Sequence, residues 1–284
     1  MKEISTEVAP LKQRSKRRLI LFRWAKICIL VYCSIGIAFY YLQETFLFHP
    51  KALPYSYTYH FKDSFNEINL EINKNEMLNM VRFYPRGSSK KGIVVYFHGN
   101  MENVNHYAAD VQHFIRNGYE VLMPDYPGFG KSTGALTEKN LYSTAELAYK
   151  FARSKYHPDS LIIYGRSLGT GIASYLASRI DCKRLMLETP YSSIPSLFST
   201  YLPVYPLKAM SHFKLPTEEY LTEVSAPVTI FHGTKDNLIP YTNAIRLKQS
   251  LKTADQFITI ENGGHNNLSS FPQFNHILDS LLQL

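Results

Sequence analysis

Cysteine is scarce in this chain, with Cys28, Cys33 and Cys182 the three present in 284 residues. An odd count without framework spacing excludes a disulfide scaffold, and a chain this long has enough core to do without one. No set of ligand-type side chains has metal spacing. His106 and His113 are too far apart on one helix to share an ion. No glycine-rich dinucleotide motif, internal repeat or low-complexity tract is present, so neither a metal nor any other cofactor is implied.

Excess charge is also missing from most of the chain. The formal charge is +8, but residues 1–26 carry Lys2, Lys12, Arg14, Lys16, Arg17, Arg18, Arg23 and Lys26 against Glu3 and Glu7. That segment alone holds +6, leaving +2 for everything after it. A nucleic-acid partner would need basic residues spread along a folded face, so this pattern argues against one.

The uncharged run Ile27–Leu42 follows the basic tail, and a transmembrane anchor over 27–43 is expected. A span of this length is slightly short for a bilayer needing about 20 residues, but Arg23 and Lys26 can snorkel to the interface. Basic residues before the span predict a cytoplasmic N-terminus and a body across the membrane on the non-cytoplasmic side. A cleaved signal peptide has cutting sites near Ser34-Ile35-Gly36 and Gly36-Ile37-Ala38, but the apolar run continues past both. Lipid modification of Cys33 is disfavoured by bulky Tyr32. Residues 44–59, aromatic and punctuated by proline, read as a linker.

From residue 60 to 284 short apolar runs alternate with helix-period segments, as in a mainly parallel sheet covered on both faces. Extended segments near 61–72 and 80–84 are expected to pair antiparallel at one edge. Central strands are expected at 93–97, 119–123, 161–164, 185–187, 228–231 and 257–260. Helical stripes run through Tyr107, Val111, Phe114 and Ile115, through Leu141, Ala145, Ala148 and Ala152, through Ala244, Leu247 and Leu251, and through Phe274, Ile277, Leu278 and Leu281. The long insert 191–224, rich in aromatics and proline, is expected to form a lid-like wall over a pocket.

The stretch Leu161-Ile162-Ile163-Tyr164-Gly165-Arg166-Ser167-Leu168-Gly169 joins an apolar strand to a Gly-flanked serine. A helical pattern through Ile172, Leu176 and Ile180 follows. Gly-x-Ser-x-Gly between a strand and a helix is a nucleophile elbow, which exposes the serine hydroxyl at the top of a sheet. Serine needs a base held by a carboxylate, and this architecture supplies them in the order Ser, acid, His, each after a strand. Asp236 follows the 228–231 run and His265 follows the 257–260 run, so Ser167, Asp236 and His265 are the expected catalytic residues. Glu188, just after the 185–187 run, is the reserve acid. The oxyanion hole is expected from the backbone N–H groups of Leu168 and of Asn100, in the His98-Gly99-Asn100 loop. His98 is read as holding that loop. Arg166 could steer an acidic substrate, although an internal ion pair suits it better.

His98-Gly99-Asn100, Asp125-Tyr126-Pro127-Gly128-Phe129-Gly130-Lys131-Ser132, Gly165-Arg166-Ser167-Leu168-Gly169, Asp236 and His265 together resemble the α/β-hydrolase superfamily. Within it, the chain is similar to membrane-anchored serine hydrolases of the branch that includes protein depalmitoylases. The resemblance implies an eight-stranded, mainly parallel α/β-hydrolase sheet over residues 60–284 and a structural role for Asp125. It also implies a small-molecule or acylated substrate at a membrane, cleaved at an ester or thioester bond. A peptidase or amidase of the same fold and a catalytically silent, membrane-tethered binding domain are the alternatives.

Overall fold

The computed structural model describes residues 11–87 and 90–283. Residues 1–10 of the basic tail, and 88, 89 and 284 of the expected domain, lie outside the described residues. The chain divides into two compact units, residues 1–46 and 47–284. The described part of the first is one long helix, α1 (Leu11–Leu47), whose last residue opens the second unit. Its part from Arg17 to Leu47 is long and apolar enough to cross a membrane, with a mean hydropathy of 1.8 in its most apolar window. At about 1.5 Å per residue those 31 residues extend well beyond a hydrocarbon core of about 30 Å. Helix therefore continues on both sides of the expected span 27–43, because leucine, arginine, lysine and alanine near its ends all favour it.

The second unit is built on eight strands: β1 (Phe65–Asn73), β2 (Glu76–Phe83), β3 (Gly92–Phe97), β4 (Tyr119–Pro124), β5 (Leu161–Arg166), β6 (Arg184–Glu188), β7 (Val228–Gly233) and β8 (Gln256–Ile260). Their order across the sheet is β8-β7-β6-β5-β3-β4-β2-β1. β3 to β8 run parallel, while β1 pairs antiparallel with β2 and β2 antiparallel with β4. This is the mainly parallel sheet that the alternation of apolar runs predicts, with the eight strands that the resemblance to α/β hydrolases implies.

Both faces of the sheet are buried, which is why the central strands read as continuous apolar runs. Side chains alternate along β3: Ile93, Val95 and Phe97 enter one core layer, and Val94 and Tyr96 the other. Helices α2 (Glu138–Arg153) and α3 (Gly169–Ala177) cover the first layer through Leu141, Ala145, Ala148, Ile172 and Ala173. Phe114 and helix α4 (Pro272–Gln283), through Phe274 and Leu278, cover the second. Each fully buried large apolar side chain contributes roughly 1.5–3 kcal/mol. Thr137 caps α2 by accepting the Asn140 N–H at 3.2 Å, and Glu138 in the first turn complements the helix dipole.

Three local expectations differ from the structure. The stripe through Tyr107 and Ile115 is broken into turns at Val104–Tyr107, Ala108–Val111 and Gln112–Ile115 rather than one helix. Ile180 lies beyond α3, which ends at Ala177 and is capped by Ser178. Leu251 likewise follows the helical segment that carries Ala244 and Leu247.

Of residues 44–59, read as a linker that covers core surface, 44–46 continue α1 and 47–59 belong to the second unit, where Phe48 and Tyr59 are buried. His49–Pro50 pairs in parallel with Met101–Glu102, and Phe48 packs edge-on against Phe129 and Phe213 with ring centroids 6.5 and 4.7 Å away. A two-residue pairing carries no periodicity, so hydropathy alone does not reveal it. The insert 191–224 forms short helices at Ile194–Ser199, Leu207–Met210 and Thr217–Leu221. Ile194, Phe213, Leu215 and Leu221 from this segment are buried in the first core layer, while Tyr201 and Val204 are exposed.

Candidate active site

Parallel pairing brings the carboxyl ends of β5, β6, β7 and β8 to one edge of the sheet. Arg166 is in register with Glu188, Glu188 with Phe231, and Ile260 with Gly233. The loops leaving those ends carry the chemistry-bearing residues, as expected for an open α/β sheet.

At the end of β5 the chain turns abruptly into α3. Ser167 sits at φ +51°, a left-handed conformation that costs a non-glycine residue roughly 1 kcal/mol or more. Neighbouring contacts hold it there. Its N–H donates to the Glu188 carbonyl at 2.9 Å, and its carbonyl accepts from the Thr170 N–H at 3.0 Å and the Thr170 hydroxyl at 2.5 Å. The flanking glycines are required by close approach. A Cβ on Gly169 would lie 2.1 Å from the Phe97 carbonyl oxygen, and one on Gly165 would lie 2.6 Å from the Gly169 carbonyl oxygen.

The other two expected residues meet this serine. His265 Nε2 lies 2.9 Å from Ser167 Oγ, and His265 Nδ1 lies 2.8 Å from Asp236 Oδ2. An ionised carboxylate only accepts, so the Nδ1 proton faces Asp236 and the Nε2 lone pair faces the hydroxyl. The Asp236 side chain is fully buried, whereas that of His265 is 10% exposed. Asp236 Oδ1 accepts the N–H groups of Leu238 and Ile239 at 2.9 and 2.8 Å, which fixes the carboxylate plane.

The acid and histidine loops are joined by backbone bonds. The Thr234 N–H donates to the Ile260 carbonyl at 3.1 Å, and the Lys235 N–H to the Gly263 carbonyl at 2.8 Å. Buried His232 braces the same turn by donating from Nε2 to the Ile239 carbonyl at 2.9 Å. Burial lowers the pKa of His232 against the opposing pull of Asp236, which favours the neutral ring. Sequence reasoning left His232 without a role, and its signal was the His-Gly pair that closes β7.

Glu188, the reserve acid, has other partners. It accepts the Tyr164 hydroxyl at 2.5 Å and lies 3.6 Å from Arg166 Nε. Burial raises its pKa, and Arg166 opposes that rise. Arg166 in turn donates to Asp110 at 2.5 Å. Burial works against its charge, but Glu188, Tyr96 and Asp110 outweigh that effect and raise its pKa. The internal ion pair expected for Arg166 is therefore present, with Asp110 as a partner that sequence distance concealed.

Leu168 is the N-cap residue of α3, and its carbonyl accepts the Tyr191 hydroxyl at 3.0 Å. Asn100 lies in the loop after β3. Its carbonyl accepts the His49 N–H and its side-chain amide donates to the Leu47 carbonyl, both at 2.9 Å. His98 is fully buried beside Asp125, with Nε2 3.3 Å from Oδ1. Asp125 Oδ1 also accepts the Val104 N–H at 2.9 Å. Among the described residues, no group of three or more histidine, cysteine, aspartate or glutamate side chains could hold a metal ion. A cavity of about 490 Å³ lined by His60, Phe61, Lys62, Arg86 and Gln112, among others, includes none of Ser167, Asp236 and His265.

The strand order and this strand-end geometry give the chain the α/β-hydrolase fold, and a family model described as the alpha/beta hydrolase fold matches residues 92–207. In sequence the chain is similar to alpha/beta hydrolase domain-containing protein 17C. The Xenopus tropicalis protein of that name is 29% identical over 185 residues, covering 64% of this chain and 58% of the relative. The Homo sapiens protein is 31% identical over 153 residues, covering 53% and 45%. The chain thus spans about half the length of the curated relatives it matches. Among solved structures, an esterase from Pyrococcus furiosus superposes with a TM-score of 0.64 at 16% identity, covering 84% of this chain and 97% of that one. A cold-adapted esterase from an Arctic intertidal metagenomic library gives 0.60 at 16% identity, covering 80% and 99%. At such identity these structures share the fold.

Proposed function

We propose that the chain is a membrane-anchored serine hydrolase that cleaves an ester or thioester, with an apolar acyl group, through an acyl-enzyme. The observation that carries this reading is the continuous hydrogen-bonded chain from Ser167 Oγ through His265 to Asp236, with the serine on a strained turn.

In this mechanism Ser167 Oγ attacks the substrate carbonyl carbon while His265 Nε2 takes its proton, and Asp236 stabilises the imidazolium without becoming protonated. The Leu168 and Asn100 backbone N–H groups bind the oxyanion. Collapse breaks the bond to the alcohol or thiol, which leaves with the proton from His265. Water then gives a proton to His265 as its oxygen attacks the acyl carbonyl carbon; collapse breaks the bond to Ser167 Oγ, His265 returns the proton to that oxygen, and the carboxylic acid leaves. No cofactor takes part.

Esters and thioesters are favoured because their leaving groups depart more readily than amines. The exposed Tyr201 and Val204 of the 191–224 insert support an apolar wall for the acyl chain. α1 supports an anchor over 27–43, and the basic residues before it support a cytoplasmic N-terminus with the hydrolase domain, residues 60–284, on the other side.

A fluorophosphonate probe is expected to label the wild type and not Ser167→Ala; labelling that persists in the variant rejects the nucleophile. In a chain-length series of nitrophenyl esters, kcat/KM is expected to rise with acyl length. Efficient cleavage of aminoacyl amides without ester cleavage would point to a peptidase instead. Protease added from the cytoplasmic side is expected to spare the domain.

A further inference from the structure

Arg166 is 14% exposed at its side chain and adjoins the nucleophile, yet it takes no part in the proton transfers. Its contacts reach the Glu188 strand end, the Ala108–Val111 turn and the loop that carries His265. Nη1 donates to Asp110 in the Ala108–Val111 turn at 2.5 Å, and Nε faces Glu188 Oε1 at 3.6 Å. Glu188 is the residue whose carbonyl receives the Ser167 N–H. Nη2 lies 3.4 Å from Asn266 Oδ1, one residue beyond His265. The guanidinium also sits 5.8 Å from the centre of the Tyr107 ring. The Tyr107 hydroxyl accepts the Met101 N–H at 3.1 Å, directly after Asn100.

Glu188 is buried beside the guanidinium and depends on that cation, because an unpaired buried carboxylate is costly, while the partly exposed Asp110 is its second carboxylate partner. Tyr96 and Tyr164 complete the arrangement by donating to Asp110 at 2.7 Å and to Glu188 at 2.5 Å. A planar fork can hold several acceptors at fixed angles, which a lysine ammonium cannot reproduce.

We propose that Arg166 is a positioning residue for catalysis: its guanidinium holds the serine turn, the Glu188 strand end and the His265–Asn266 loop in register. This rests on the serine-hydrolase reading. A misplacement of about 1 Å between nucleophile and base costs on the order of 100-fold in rate, so a tie among these segments acts on kcat.

The test uses the full chain in detergent micelles with a nitrophenyl ester. Arg166→Met is expected to lower kcat roughly 10- to 100-fold with KM within about twofold of wild type. Arg166→Lys, which keeps the charge and loses the fork, is expected to recover part of that kcat. Asn266→Ala, which removes only the contact to the histidine loop, is expected to lower kcat about two- to fivefold. Wild-type kcat in folded Arg166→Met, a loss confined to KM, or a lysine variant no better than methionine would overturn the proposal. Should Arg166→Met not fold, Arg166→Lys and Asn266→Ala decide it, since wild-type kcat in both would overturn it equally. Fluorophosphonate labelling of wild type and Ser167→Ala separately tests the underlying reading, so the two failures are distinguishable.

Discussion

Two of the histidine–aspartate pairs at the carboxyl end of the parallel strands, His98–Asp125 and His265–Asp236, differ in what the second ring nitrogen meets. In the His98–Asp125 pair both side chains are wholly buried, and the Nε2–Oδ1 distance is 3.3 Å. His98 Nδ1 is 2.7 Å from the Gly99 carbonyl, and the ring lies among Tyr107, Tyr126 and Phe129. In the other pair His265 keeps its second nitrogen for a serine hydroxyl and remains partly exposed. A carboxylate behind an imidazole therefore does not define a base. What defines it is a free lone pair aimed at a nucleophile that substrate can reach.

The largest expected effect falls on the open pair. His265→Ala should lower kcat with a nitrophenyl ester by roughly six orders of magnitude, and Asp236→Asn by roughly four. Both variants should unfold in urea near the wild-type midpoint. A loss below tenfold in either would place the buried pair and the open pair in the same class.

The closed pair should respond in stability instead. Asp125→Ala removes the acceptor for the Val104 N–H and the partner of His98, at a fully buried site. It should cost about 3 kcal/mol in urea unfolding. Activity per folded molecule should fall far less than in Asp236→Asn, and the reverse pattern would break the comparison.

A third histidine, His232, supplies the smallest effect. Its pKa is lowered by burial, so the unfolded chain binds more protons there than the folded one. Its contribution to stability is fully present above the ordinary imidazole value of 6.5 and is lost as pH falls below it. His113, also lowered chiefly by burial, acts in the same direction. His232→Gln should therefore flatten, without abolishing, the decline in urea midpoint between about pH 7.5 and pH 5. An unchanged decline would remove His232 from the account.

The strands and the order of Ser167, Asp236 and His265 were legible because each depends on local pattern: an apolar run, then a loop with one reactive side chain. The partners of Arg166 were not legible to the same degree. Asp110 lies 56 residues before it in a turn with no motif, and register in the sheet, not spacing in the chain, sets Glu188 beside it. The broken helix around Tyr107 kept helical spacing of its apolar residues, so periodicity alone overstated its regularity. Residues 47–51 escaped notice for a different reason: their bonds are mostly backbone bonds, which leave little mark on composition.

Those same residues limit where the chain can be shortened. Leu47 and His49 hold Asn100, while Lys51 receives the N–H of Gly130 and the side-chain amide of Asn103 and donates its own N–H to Glu102. A shortened chain beginning at residue 60 would strip these supports from the loop after β3, whereas one beginning just before Leu47 would keep them. The boundary useful for protein engineering thus falls at the end of the long helix, about a dozen residues earlier than hydropathy suggests.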